Sequence, residues 1–226
     1  LNNAALTFDQ SPSGTYASAI SGTGSLTKQG AGTLTLSGTN AYAGGTTISA
    51  GTLALGHATD TLADTGAITI STGTLALGAN SDTVGAVSLS SGSITGSGTL
   101  TASSYAFTNA GSVSAHLAGS GTLIKTGAGT VTLSGANTYT GETTINAGTL
   151  AVTGTGSVSH PASVLYVGKL NGDTGTLEIA DGGTVSNGGG VLGYNSGSSG
   201  TADISGTWDN SGELTVGESG TGSLTV

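Results

Sequence analysis

Residues 119 to 152, GSGTLIKTGAGTVTLSGANTYTGETTINAGTLAV, repeat residues 22 to 55, GTGSLTKQGAGTLTLSGTNAYAGGTTISAGTLAL, without a gap. The offset is 97 residues and 23 of the 34 positions are identical. Self-similarity of this kind marks an architecture in which one unit stacks on the next. Within each copy the local signal is period two. Leu34 and Leu36 alternate with Thr33 and Thr35, and Val131 and Leu133 with Thr130 and Thr132, as in strands with one buried face. Gly or Asn recurs every few residues, so the strands are short and the turns abrupt. The same alternation puts Tyr105 and Phe107 together on the inner side.

Composition separates this pattern from that of a flexible linker. Forty-three glycines and only 7% charged residues resemble a disordered segment, but the alternating Leu, Val and Ile supply a buried stripe that a linker lacks. Two prolines in 226 residues suit uninterrupted ladders, because proline removes a ladder donor. A solenoid needs no large globular core, since each coil buries its inward residues against its neighbours. The net charge of −9, with three lysines (Lys28, Lys125, Lys169) and no arginine, argues against nucleic acid or anionic membrane as a partner. Cysteine is absent, so disulfides and thiolate metal sites are excluded. No stretch is apolar for long enough to cross a bilayer as a helix.

The repeat resembles the passenger-associated transport repeat, or autotransporter-associated β-strand repeat, of Gram-negative type V secretion. The first copy carries the pattern in Gly24, Leu26, Lys28, Gly30, Gly32, Leu34, Leu36, Gly38, Asn40, Tyr42, Gly44, Thr46, Ile48, Gly51 and Leu53. The second carries it from Gly121 through Lys125, Asn137 and Tyr139 to Gly148 and Leu150, departing at Val131 and at Glu142, where a second Gly is usual. The resemblance implies an all-β, right-handed parallel β-helix, a three-sided solenoid on the cell surface of a Gram-negative bacterium or released from it. It also implies a membrane translocator elsewhere in a longer protein, of which this chain is expected to be a fragment. The implied roles are rigid stalk or adhesin, with self-association into aggregates and biofilm as the alternative. The implied partners are a surface glycan or protein receptor, or a second rod.

Along the chain, the reading is one continuous solenoid over 1–226. It comprises a first repeat segment (1–55), intermediate coils (56–118), a second repeat segment (119–160) and a different repeat (161–226). Residues 56–65 lack alternation and are expected to be a loop or short helical excursion. In the last segment LYVG (165–168), VLGY (191–194) and LTVG (214–217) align, and the G-[TS] starts Gly175, Gly200 and Gly222 stand 25 and 22 residues apart. A coil of that length gives about ten coils and a rod of about 50 Å. Asn40 and Asn137 stand at matching turn positions, where asparagine tolerates left-handed backbone and can bond its neighbours.

Chemistry-bearing clusters are sparse. His57, Asp60 and Asp64 share the irregular stretch but match no ligand spacing, and a solvated loop accounts for them. Asp181, Asp203 and Asp209 could face one way, though turns account for them as well. His116 is expected outward, between Ala115 and Leu117, and His160 structural or solvated beside Pro161. The G-x-G triplets lack a dinucleotide fingerprint, and no G-x-S-x-G elbow is present. Trp208 is expected to plug a corner, and the six tyrosines, spread along the chain, form no evident platform. No catalytic, metal or cofactor residue is therefore assigned and no enzymatic activity is expected; a polysaccharide-active β-helix is the remaining enzyme class.

Overall fold

The computed structural model describes residues 1–226 and contains strands and turns but no helix. Within one coil the chain passes three faces. Leu26–Gln29 lies on the first, Thr33–Leu36 on the second and the two-residue Ala41–Tyr42 on the third, and Thr46–Ile48 then opens the next coil on the first face. Each strand pairs in parallel with the strand one coil on. The second face is an unbroken sheet of eleven strands, so the solenoid has about eleven coils. From the middle of the chain onward, Asp82–Leu89, Thr99–Phe107, Ser157–Val167 and Thr184–Leu192 run round the corner from the third face to the first, which merges those two faces into one sheet.

The ladder register explains the 97-residue offset. On the first face Leu26 pairs with Thr46, which pairs with Ile68, and the column continues through Val87 and Tyr105 to Leu123. The offset is five whole coils. Coils here are shorter than the last segment suggests: Thr33 pairs with Thr52 and Ser93 with Ser112, 19 residues apart. The coil that carries 56–65 takes 22 residues, from Thr52 to Thr74. The greatest lengthening comes from the end of the second copy onward, Ala147 pairing with Thr174 and Thr174 with Ser199, which are 27 and 25 residues apart. There the register also shifts by one from the sequence alignment, because Leu165 pairs with Gly190 and Gly190 with Leu214. The aligned segment is therefore 190–193 rather than 191–194.

Alternation sorts the side chains as period two requires. Leu34, Leu36, Val131, Leu133, Tyr105 and Phe107 are all buried, while Thr33, Thr35 and Thr132 face outward. The outward column of the first face begins with hydroxyls at Thr7, Thr27, Thr47, Thr69 and Ser88. It then changes character and runs through Ala106, Ile124, Thr144, Tyr166 and Val191.

Two of the three lysines lie inside. The parity that buries Leu26 buries Lys28, and Leu123 does the same for Lys125; both lysines are 0% exposed. The Lys125 ammonium donates to the carbonyls of Thr126 (2.7 Å), Gly127 (2.8 Å) and, one coil on, Ala147 (3.1 Å). Lys28 does likewise with Gln29 (2.8 Å) and Gly30 (2.7 Å), and reaches Ala50 at 3.5 Å. Gly51 and Gly148 close over these cages with φ of 63° and 65°, and a Cβ on either would collide with two turn carbonyls.

The two asparagines point inward without left-handed backbone, and besides bonding a neighbouring turn carbonyl each bridges to the coils on either side. Asn137 Oδ1 accepts from Leu117 N at 3.1 Å, one coil back. Its Nδ2 donates to Gly135 O (2.8 Å) and, one coil on, to Ser157 O (2.9 Å). Asn40 bridges Ile20, Gly38 and Thr61 in the same way. Nearby, the hydroxyls of Tyr42 and Thr46, and of Tyr139 and Thr143, are bonded pairwise. Each repeat copy thus ties three successive coils through buried polar groups, whose satisfaction such burial demands.

Two stability predictions follow from the register and the cage. Leu133→Asp, which buries an unpaired charge, should lower unfolding free energy by about 4 kcal/mol or more, against less than about 1 kcal/mol for Thr132→Asp one residue away; equal shifts in urea unfolding would show the faces to be misassigned. Lys125→Met should cost about 1–3 kcal/mol by orphaning turn carbonyls. A more stable variant would mean that desolvating the ammonium outweighs its three hydrogen bonds.

Candidate functional site

The irregular segment 56–65 forms no helix and takes the place of a third-face strand. Thr61, Leu62 and Ala63 turn inward and are buried, and Asp60 is the one non-glycine residue with left-handed backbone, at φ 53°. The segment is bonded into the stack: Asn40 N donates to Asp60 O, and Ser81 N to Ala58 O. Asp82, from the next coil, accepts from Leu62 N at 2.8 Å and Thr83 N at 2.9 Å while 4% exposed. Burial pushes its carboxyl up to about 6; the two N–H donors work against this, and Asp60 and Asp64 reinforce it.

An open cleft of about 390 Å³ runs beside this segment, lined by Asn40, Tyr42, Asp60 and Asp64 among others. His57 bonds to Thr59 O and lines neither this cleft nor the smaller one beside Asp82. The structure contains no group of three or more His, Asp or Glu side chains placed to hold a metal.

The other carboxylates are dispersed. Asp203 stands on the second face next to Glu178, Asp209 on the third face next to Ser186, and Asp181 in the turn between those faces. The three do not face one way, which removes the shared surface that the sequence left open. His116 is half-exposed between buried Ala115 and Leu117. His160 is buried, with Nε2 3.0 Å from Thr143 Oγ1 and its ring 5.7 Å from that of Tyr139, and burial holds its pKa below the usual histidine value. Trp208 is half-buried rather than a sealed plug. Its Nε1 donates to Asn187 Oδ1 at 2.6 Å, and it borders an open groove with Ile204, Leu214 and Leu224 on the last coils.

Sequence reasoning missed one cluster on the outer surface. Tyr166 and Tyr194 stand 28 positions apart in the chain but meet edge to face, with centroids 5.3 Å apart. Lys169 Nζ lies 4.1 Å from the centre of the Tyr166 ring and pairs with Glu142, the residue that departs from the repeat pattern. Glu142 also accepts from Thr144 Oγ1 at 2.8 Å, and Thr144 is buried beneath it. Alternation between Leu165 and Val167 could have shown Tyr166 to be outward. Tyr194 needed the register, because it follows a turn at Gly193 and bonds through its N–H to Gly168 one coil back. The lengthened coils project beside these rings as two stacked turns, joined by Asn195 Nδ2 to Lys169 O (2.8 Å) and Asn171 Nδ2 to Ser196 O (2.9 Å).

Residues 26–55 and 123–152 match the family model of the passenger-associated-transport repeat. No curated protein and no solved structure matches the chain.

Asp82 gives the pH prediction. Its folded-state pKa is raised from 3.8 to about 6, so its protonated form stabilises the fold, and that contribution is lost as pH rises through about 6. Relative to Asp82→Asn, the unsubstituted chain should lose urea resistance between about pH 4 and pH 7. A difference independent of pH, or an unsubstituted chain that gains on Asp82→Asn as pH rises, would contradict the buried-carboxyl assignment.

Proposed function

The chain carries two passenger-associated-transport repeats, the repeat of autotransporter passenger domains, and from that premise we propose that it is the rigid part of a surface-displayed adhesin. The observation that carries this reading is the unbroken eleven-strand ladder. A continuous stack transmits position without a hinge and sets outward side chains at a fixed repeat of about 4.8 Å. Its place is the cell surface of a Gram-negative bacterium, anchored or released. The dispersal of the carboxylates supports a binding role rather than polysaccharide cleavage.

A second reading, self-association of rods on neighbouring cells, is favoured by a different observation. On the second face Thr33, Thr52, Thr74, Ser93, Ser112 and Thr132 form one outward column of hydroxyls. Each hydroxyl contact made against water contributes only about 0.5–1.5 kcal/mol net, so such surfaces adhere through many parallel copies rather than one strong contact.

Both readings predict weak single contacts and strong multiple ones. The free chain should sediment as a monomer at micromolar concentration, while beads coated densely with it should clump or bind cells. A tight dimer in solution, or beads no stickier than beads carrying an unrelated β-helix, would refute the avidity mechanism.

A further inference from the structure

On the first face, the outward column changes from hydroxyls to apolar side chains at Ala106 and stays largely apolar for the following coils. Ile124 is 40% exposed, and Tyr166 and Val191 are half-exposed in the same column. Tyr194 flanks them. The molecule's only ion pair, Lys169 with Glu142, stands against Tyr166. The other two lysines are buried, so the one accessible side-chain ammonium of the chain is at this strip. None of these outward residues is needed to close the core, since the inward neighbours Leu123, Leu165, Val167 and Leu192 do that.

The dimensions narrow the occupant. From Ile124 to Val191 the strip covers three coil steps, about 15 Å along the rod, and is one side chain wide, on the order of 200 Å². A stable protein complex buries about 800 Å² on each partner, so neither a second copy nor a folded receptor is satisfied by this strip. A peptide cannot add to it as a strand, because the strip lies mid-face, where the backbone groups are already paired along the ladder. One paired lysine offers no basic patch to an anionic membrane.

The remaining chemistry is that of a sugar chain. Tyrosine rings present an apolar body and a polar tip, and Glu142, Lys169 and Asn195 offer acceptors and donors at the edge. Because Glu142 neutralises Lys169, and the other charge acting on Tyr166 is the carboxylate of Glu218, the strip has no unpaired cation to select a uronic or sialic acid. We infer that this strip binds a neutral glycan chain laid along the rod, with the Tyr166–Tyr194 pair as its stacking platform. The inference rests on the adhesive reading above and names the ligand class for it.

Affinity electrophoresis of the 226-residue chain through gels containing soluble β-glucan, mannan or galactan tests it, with polygalacturonate as the charged comparison. At least one neutral polymer should retard the chain. Tyr194→Ala and Tyr166→Ala should each weaken retardation about tenfold, while Tyr166→Phe and Thr27→Ala, the latter on the hydroxyl half of the column, should leave it unchanged. Tyr194 sits at a turn and guards against a folding artefact at Tyr166; unchanged urea midpoints identify the variants that count. Retardation by polygalacturonate alone, indifference to both tyrosines, or a Tyr166-dependent dimer in sedimentation would overturn the proposal. Retardation without adhesion of densely coated beads would instead remove the adhesin reading and leave the glycan surface standing.

Discussion

No coil of this molecule can satisfy its own backbone. The N–H and C=O groups of each short strand point along the rod, so their partners lie one coil away, and a buried group left unpaired costs about 1–3 kcal/mol. This dependence sets the rest of the composition. Proline can sit only where no ladder donor is needed, and the two present are exposed: Pro12 in a turn and Pro161 where the register shifts between His160 and Val164. Stability is then close to a sum of coil and interface contributions, with each coil propping its neighbours.

At some corners the ladder leaves carbonyls and N–H groups unpaired, and there the repeat supplies side chains in place of backbone. Carbonyls of the turn after Lys125 converge on one ammonium, which also takes a carbonyl from the next coil. Asn137 closes a similar gap on the third face, tying three successive coils. Both solutions recur at Lys28 and Asn40 with the same partners in the sequence frame. Desolvation lowers the pKa of both lysines. That marks the cost of a buried charge, which three carbonyl acceptors offset only when the neighbouring coil is docked. The repeat motif is therefore a set of inter-coil ties as much as a strand pattern.

Period two made the inner columns legible from sequence, because a slip of one residue would have exposed every leucine. The same rule, followed through, also buries Lys28 and Lys125, although lysine is rarely found inside a fold. For Asn40 and Asn137 the bond to a neighbouring carbonyl was legible, but only the three-dimensional stack reveals the groups one coil back and one coil on that each amide also bridges. Coil length was drawn from the last segment, where extra residues in the projecting turns lengthen the period. Contacts such as Tyr166 with Tyr194 depend on which turn residue overlies which, and local periodicity does not encode that.

The outer surface answers to different rules from the core. An outward residue changes without disturbing the column behind it, and a turn can lengthen without breaking the pairs on either side: Leu177 still meets Ala202, and Ile179 still meets Ile204, across the 25-residue coil. Departures from the repeat on the outside are thus nearly free of folding cost and need not be evenly distributed. Here they coincide. Glu142 in place of glycine, the apolar change in the outward column, the paired tyrosines and the lengthened turns all fall on neighbouring coils of one face. The core does not require that coincidence, since the earlier coils stack with threonine in the same column. A contact made by the outer face does require it, because only adjacent coils can present their side chains to one ligand.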